Sequence, residues 1–225
     1  MKLRIKFSKR GVIKYIGHLD LMRYFQKAFR RTDIRVVYSK GFSPHMIMSF
    51  AAPLGVGLES FGEYFDVEVE DDENVDTITK RLNATMADGI EILGTTKLPD
   101  NSKNAMASVS HAAYSVEFAD ENPITESTLA KFDSAQEIIF VKTTKTGEHP
   151  FNIKDYVRSI SVSANTLSFI TDASSAGNLK PLYLLTALCN LEGKDIKDFK
   201  YHITREEIYQ TNGEDIVPLS WTNEQ

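Results

Sequence analysis

The order in which hydrophobic periodicity changes along residues 1–97 most constrains the fold of this chain. Some stretches alternate apolar and polar side chains, as half-buried strands do, and others space apolar residues as one helix face does. In chain order these stretches are residues 2–8, 18–31, 34–39, 63–70, 74–88 and 90–95. The sequence of strand, helix, strand, strand, helix and strand predicts a ferredoxin-like β-α-β-β-α-β domain over residues 1–97.

The second half of the chain is predicted to repeat this plan after a polar linker at residues 98–110. Its predicted strands and helices are residues 114–118, 124–135, 137–142, 166–171, 181–191 and 199–209. An insert is expected at residues 143–164. The predicted fold class is therefore α+β, with two ferredoxin-like domains in tandem, the second of them spanning residues 111–225.

Cysteine usage limits the chemistry of the chain. Cys189 is the only cysteine among 225 residues, so an intrachain disulfide and a cysteine-ligated iron–sulfur cluster are excluded. The spacing of the histidines and carboxylates predicts no metal site, and we expect no cofactor. No stretch approaches the ~20 apolar residues of a membrane helix, and the N-terminus lacks the apolar core of a signal peptide. We expect a cytoplasmic protein.

Charge is distributed unevenly along the chain. The first 50 residues contain 12 Lys or Arg and 2 Asp or Glu, whereas the formal charge of the whole chain is −5. A basic segment followed by an acidic one indicates an anionic partner or internal ion pairs. Two predicted neighbouring strands favour internal pairs, because cross-strand opposite charges attract each other. The basic set is Lys2, Arg4 and Lys6, and the acidic set is Asp66, Glu68 and Glu70.

Other basic residues have no such partner in the predicted sheet. One group shares a face of the first helix, at spacings of three and four residues, and the other lies in loops that the topology brings to one end of the sheet. We name these two groups the basic helix face (Arg23, Lys27, Arg30 and Arg31) and the basic rim (Lys9, Arg10, Lys14 and Lys40). Together they predict a site for an anion or for RNA.

Two histidines are expected at the same rim. His18 lies near the N-cap of the first predicted helix, and His45 follows Pro44 in a loop rich in Gly and Pro. A pair of imidazoles can act as acid and base in a metal-independent cleavage of RNA. His18 and His45 are therefore the candidate catalytic residues, although a structural role for both is the alternative.

Two segments, residues 14–31 and 38–60, resemble an uncharacterised bacterial domain that occurs linked to radical SAM proteins. The motifs that carry the resemblance are Gly-His-Leu-Asp at 17–20 and Gly-Phe-x-Pro-His at 41–45. The resemblance extends with EYFDVEV at 63–69, and more loosely with NLKP at 178–181 and with Arg205. It implies a radical SAM enzyme as the partner. A more distant likeness, in element order, is to the CRISPR repeat-processing endoribonucleases, which bind RNA.

These observations favour a non-catalytic accessory module that presents RNA or another anionic substrate to a radical SAM enzyme. Two alternatives remain open at this point. The chain could be a metal-independent ribonuclease that uses His18 and His45, or a protein-interaction domain that docks through the basic helix face. The sequence contains no motif typical of a hydrolase nucleophile, a phosphate loop or a dinucleotide site, and so an enzyme is the less favoured reading.

Overall fold

A computed structural model describes residues 1–70, 72–145 and 147–220 of the chain. The protein has an α+β fold, as predicted, and it divides into two units. Unit 1 comprises Met1–Ser110 together with the segment that begins at Glu207, and unit 2 comprises His111–Glu206. The sequence analysis assigned the segment after Glu207 to the second domain, whereas here it groups with the first.

Unit 1 contains one sheet with helices on its apolar face. Its elements before residue 111 are β1 (Lys2–Lys9), α1 (His18–Arg31), β2 (Met48–Phe50), β3 (Glu59–Glu68), α2 (Val75–Asn83), β4 (Ile90–Leu98) and α3 (Ala105–Ser108). The strands pair in the order β4-β1-β3-β2, and the pairs β1–β3, β1–β4 and β2–β3 are antiparallel. The adjacency of the first strand and the acidic strand is therefore confirmed.

The core of unit 1 is an aromatic cluster between the sheet and α1. The alternation in β1 buries Phe7, and the helical stripe in α1 buries Phe25. Phe25 lies 4.8 Å from Phe7 and 4.7 Å from Phe65, measured between ring centroids, and Phe50 stacks on Phe65 at 5.0 Å. Edge-on and offset ring contacts at these distances stabilise the core beyond the burial of area.

The opposite face of the same sheet contains a buried ion pair. Arg4 and Asp66 are register partners on β1 and β3, and their side chains are 3% and 4% exposed. Arg4 donates to both carboxylate oxygens of Asp66, at 2.8 and 3.0 Å, and to the backbone oxygens of Lys103 and Leu219. One guanidinium therefore connects β1, β3, the segment before α3 and the C-terminal segment.

The other cross-strand pairs differ from the prediction. Lys2 is the register partner of Glu68, but its ammonium donates to the backbone oxygen of Ser102. Lys6 forms its ion pair with Glu207, at 2.6 Å, and Glu70 pairs with Arg35 at 3.7 Å. Of the three expected partners, only the one for Arg4 is confirmed. The pairings shift because a segment distant in sequence covers this face of the sheet.

The predicted linker at 98–110 is a packed part of unit 1. Leu98 ends β4, and α3 begins after Asn104, whose side chain accepts a hydrogen bond from the amide of Ala107. Ala105 and Val109 are buried. The polar composition of the stretch indicated a linker, but the buried side chains of Ala105 and Val109 anchor it.

The predicted strand at 34–39 is wrong. Only single bridges, Val36 to Val69 and Tyr38 to Met46, occur there, and the regular pairing belongs to β2. The backbone of Glu68 explains why no regular strand forms there. Its oxygen accepts a hydrogen bond from the amide of Val37, and its amide donates one to the backbone oxygen of Ile47. Because both segments meet the same residue of β3, the chain between them leaves the sheet edge as an excursion.

Unit 2 contains four sheet strands and a separate hairpin. Its elements are β5 (His111–Phe118), α4 (Glu126–Ser134), β6 (Ile139–Thr144), β7 (Gly147–Asn152), β8 (Val157–Ser163), β9 (Thr166–Asp172), α5 (Pro181–Leu191) and the first half of β10 (Tyr201–Asn212). The sheet has the order β10-β5-β9-β8. From Glu207 onward β10 belongs to unit 1, where β11 (Asp215–Pro218) pairs with it.

One strand of unit 2 was placed incorrectly from the sequence. The stretch 137–142 was expected beside the central strands, but β6 pairs with β7 in a two-stranded sheet of its own. The place beside β9 is taken by β8, which lies inside the predicted insert at 143–164. In its sequence, VRSISVS, serines alternate with a small number of apolar residues. Most of its side chains are exposed. Its apolar signal was therefore weak.

Candidate functional site

The end of the unit 1 sheet where β1 meets α1 contains a buried lysine. Lys9 has the same strand parity as Leu3, Ile5 and Phe7, and its side chain is 1% exposed. Its ammonium donates to the backbone oxygens of Ile16 at 2.8 Å and of Lys14 at 3.3 Å. These bonds hold the 3-10 turn at Gly11–Tyr15 that precedes α1. Lys9 was predicted to contact an anion, but its burial withdraws it from any surface contact.

Glu63 is a second buried charge at the same end. It lies opposite Phe7 on β3 and has the parity of Phe65 and Val67, which places it on the apolar face of the sheet. The residue is 4% exposed. The sequence analysis missed it, although the alternation of GEYFDVEV already put a glutamate in register with apolar residues. Two charges on one core face are costly to bury, and that makes this cluster a candidate functional site.

His18 lies beside these two charges at the N-terminus of α1. Its ring meets the ring of Phe50 edge-on, with centroids 5.3 Å apart. Burial lowers the pKa of His18 below its ordinary value, Glu63 opposes that shift, and Lys9 adds to it. A lowered pKa favours the neutral form of this imidazole. A neutral imidazole can accept a proton or a hydrogen bond, but it adds no positive charge to the rim.

His45 lies in the excursion that spans residues 38–46. Its Nδ1 is 2.9 Å from the hydroxyl of Ser39, and its amide donates to the same hydroxyl at 3.1 Å. The excursion leaves the sheet edge at Glu68, whereas His18 contacts Phe50, which pairs with Phe65. The hydrogen bonds and ring contacts of each imidazole thus involve different partners, and these contacts do not join the two rings.

The remaining rim cations near α1 have carboxylate partners. Arg10 pairs with Glu91 at 3.2 Å and its guanidinium lies 5.2 Å from the ring centroid of Phe61. Lys14 pairs with Glu59 at 3.3 Å. These carboxylates offset the positive charge that the sequence placed at the rim. Lys40 is exposed in the excursion.

The basic helix face is exposed along α1. Arg23, Lys27, Arg30 and Arg31 all point away from the apolar stripe, as their spacing predicted. Arg23 pairs with Asp20 at 3.3 Å, and both side chains are about two-thirds exposed. Arg31 donates to the backbone oxygen of Thr85. A solvent-exposed pair such as Arg23–Asp20 contributes little to stability, so its cation remains available to a ligand.

No group of three or more His, Cys, Asp or Glu side chains in the described part of the chain has a geometry suited to a metal ion. None of the helices within those residues combines the length and the apolar character needed to cross a membrane.

Fold and site define a class: a two-unit α+β protein with an exposed basic helix face and two buried charges, Lys9 and Glu63, on the core face of unit 1. The chain belongs to the bacterial family described as "Uncharacterized protein conserved in bacteria (DUF2344)", whose model matches residues 2–181. No curated protein matches it. Among solved structures, the chain is similar to an unknown protein from Galdieria sulphuraria at 14% identity, covering 91% of this chain and 97% of that one, with a TM-score of 0.30.

Proposed function

We propose that this protein is a non-catalytic module that binds RNA and presents it to a radical SAM enzyme. The observation that carries the proposal is the basic helix face: four exposed cations on the 14 residues of α1. A helix of that length spans about 21 Å, which is several phosphate spacings of a nucleic acid strand.

The charge pattern around the helix supports an anionic ligand. Residues 34–58 contain no Asp or Glu, while they include the exposed cation Lys40. Four like charges on one helix repel each other, and an anionic partner relieves that repulsion. Binding would be confined to this part of unit 1, because the chain beyond residue 50 has an excess of acidic residues.

The contacts of the two histidines favour binding over catalysis. Cleavage of RNA by an imidazole pair needs both rings within reach of one phosphate. His18 contacts Phe50 whereas His45 is held by Ser39, and these contacts do not bring the two rings together. The ribonuclease reading therefore has less support than the accessory one.

The radical SAM partner is proposed from the resemblance of residues 14–31 and 38–60 alone. In such an assembly the partner enzyme would provide the cysteines that ligate the iron–sulfur cluster. Cys189 is the single cysteine of this chain, and it is buried on α5. We further propose that both units follow the ferredoxin-like plan. The strand orders β4-β1-β3-β2 and β10-β5-β9-β8 support that relation.

The test is a titration of labelled single-stranded RNA with the full chain at two salt concentrations. The double variant Arg23→Glu/Lys27→Glu should weaken binding for all RNA sequences, since phosphate contacts carry no sequence information. It should also reduce the slope of log affinity against log salt by about 1.4. Each of the two substituted residues accounts for roughly 0.7 of that slope, the value for one neutralised phosphate of a single strand.

The matched control is Lys142→Glu/Lys197→Glu, which makes the same change in charge at exposed positions of unit 2. Equal losses of affinity from the two double variants would mean that only net charge matters. Wild-type protein that binds no RNA even at low salt would refute the proposal, and docking of the basic helix face on an acidic protein would replace it.

A further inference from the structure

The excursion at residues 38–46 is a braced hairpin. Tyr38 and Met46 form a bridge at its base, and the amide of Ser39 donates to the backbone oxygen of His45 at 2.8 Å. The Ser39 hydroxyl also contacts the amide and the ring nitrogen of His45. Gly41 has a φ of 121°, which favours glycine at that point of the turn. These contacts fix the tip relative to the sheet edge.

The tip of this hairpin presents a fully exposed phenylalanine. Phe42 has the largest exposure of the large hydrophobic residues, and the adjoining residues at 41–45 are exposed as well. A phenylalanine in water forgoes the stabilisation that burial of its ring would provide. Because the ring is exposed, it adds no buried apolar area to the core of unit 1. A pre-ordered exposed ring is instead suited to an external surface.

The neighbours of Phe42 favour nucleic acid as that surface. Tyr38 is an exposed aromatic at the base of the hairpin, and Lys40 is an exposed cation between the two rings in sequence. No carboxylate occurs in residues 34–58. Aromatic rings interleaved with cations are typical of surfaces that bind single strands, where rings stack on bases and cations contact phosphates.

We propose that Phe42 stacks on an unpaired base, so that the ligand of this protein is single-stranded or loop RNA and not duplex. This inference rests on the proposed function and adds the class of RNA to it. Bases within an A-form duplex are stacked on each other and offer no free face to a side chain. Unpaired bases can be splayed out onto an aromatic ring.

The experiment compares a single-stranded RNA of about twelve nucleotides with a blunt duplex of the same sequence. Wild-type protein should prefer the single strand. Phe42→Ala should weaken single-strand binding about tenfold and leave duplex binding and the salt slope unchanged, because stacking involves no counterion release. Ile139→Ala, which truncates an exposed apolar residue of unit 2, is the matched control and should have no effect.

A spectroscopic readout follows the ring directly. Trp221 is the only tryptophan of the chain, so Phe42→Trp in a Trp221→Phe background has a single indole at the tip. Its fluorescence should be quenched when single-stranded RNA binds, and its affinity should match that of wild type. Quenching by the single strand but not by the duplex would support stacking on an unpaired base.

The failure of this inference differs from the failure of the proposed function. Salt-dependent RNA binding that is abolished in Arg23→Glu/Lys27→Glu but unchanged in Phe42→Ala would overturn stacking and leave RNA binding in place. Equal affinity for single strand and duplex would also overturn stacking and leave RNA binding in place. Phe42 would then be an anchor for a protein. Absence of any RNA binding by wild type would overturn both.

Discussion

The buried pair of Arg4 and Asp66 allows a quantitative test of how unit 1 is held together. The substitution Asp66→Asn keeps the shape of the side chain but removes its charge. Arg4 would remain buried with its bonds to the oxygens of Lys103 and Leu219 and with no counter-charge. Removing one partner of a buried ion pair costs about 3–5 kcal/mol, because the remaining charge is left uncompensated.

Hydrogen exchange followed by mass spectrometry is the suitable assay, since it reports on each unit separately. Amides of β1 and β3 should lose about 3–5 kcal/mol of opening free energy in Asp66→Asn. Amides of β5 and β9 in unit 2 should change far less. The matched control is Glu91→Gln, which breaks the half-exposed pair with Arg10 and should cost at most about 1 kcal/mol.

A loss below about 1 kcal/mol in Asp66→Asn, equal to that in Glu91→Gln, would refute this account of the pair. It would mean that water reaches Arg4 readily and that the guanidinium does not depend on a buried counter-charge. An equal loss in both units would instead indicate that the two units unfold together.

Two other outcomes concern titratable groups. In an NMR titration His18 should show a pKa below the ordinary histidine value of 6.5, because burial lowers it. The contribution of His18 to the stability of unit 1 should therefore be complete above pH 6.5 and should decrease as the pH falls toward the lower pKa of the folded state. His18→Gln should abolish that pH-dependent loss, and a titration at or above 6.5 would contradict the burial. Burial also raises the pKa of Cys189 to about 11, so the thiol should resist a disulfide reagent at pH 8 in the folded protein and react fully after denaturation. Rapid labelling of the folded chain would contradict this.

Periodicity predicted the elements that pack on a core face. The alternation around Phe7 and the stripe around Phe25 indicated β1 and α1 correctly, because the core selects apolar residues at those positions. The same alternation placed Arg4 and Asp66 together on the other face. These features depend on neighbours whose spacing is visible in the sequence.

Features set by distant segments could not be predicted in this way. Lys6 pairs with Glu207, and the Tyr64 hydroxyl donates to the same carboxylate at 2.7 Å, which no local pattern reveals. Lys9 resembled a surface cation because lysines usually are exposed, although its parity with Phe7 already placed it on the buried face. The stretch 34–39, predicted as a strand from its β-branched residues, forms only isolated bridges because the chain leaves the sheet edge there.

The bond from Arg4 to the backbone oxygen of Leu219 affects how the protein is made. Residues are added at roughly 5–20 per second during synthesis, so about 5–20 s separate the emergence of Ser110 from that of Leu219. During that interval unit 2, which is continuous in sequence, has its whole chain available before unit 1 does. The edge of β3 that pairs with β10 stays open meanwhile. The segment that follows unit 2 in the chain therefore completes the unit that precedes it, and a ribosome that stalls after unit 2 leaves an unfinished sheet exposed.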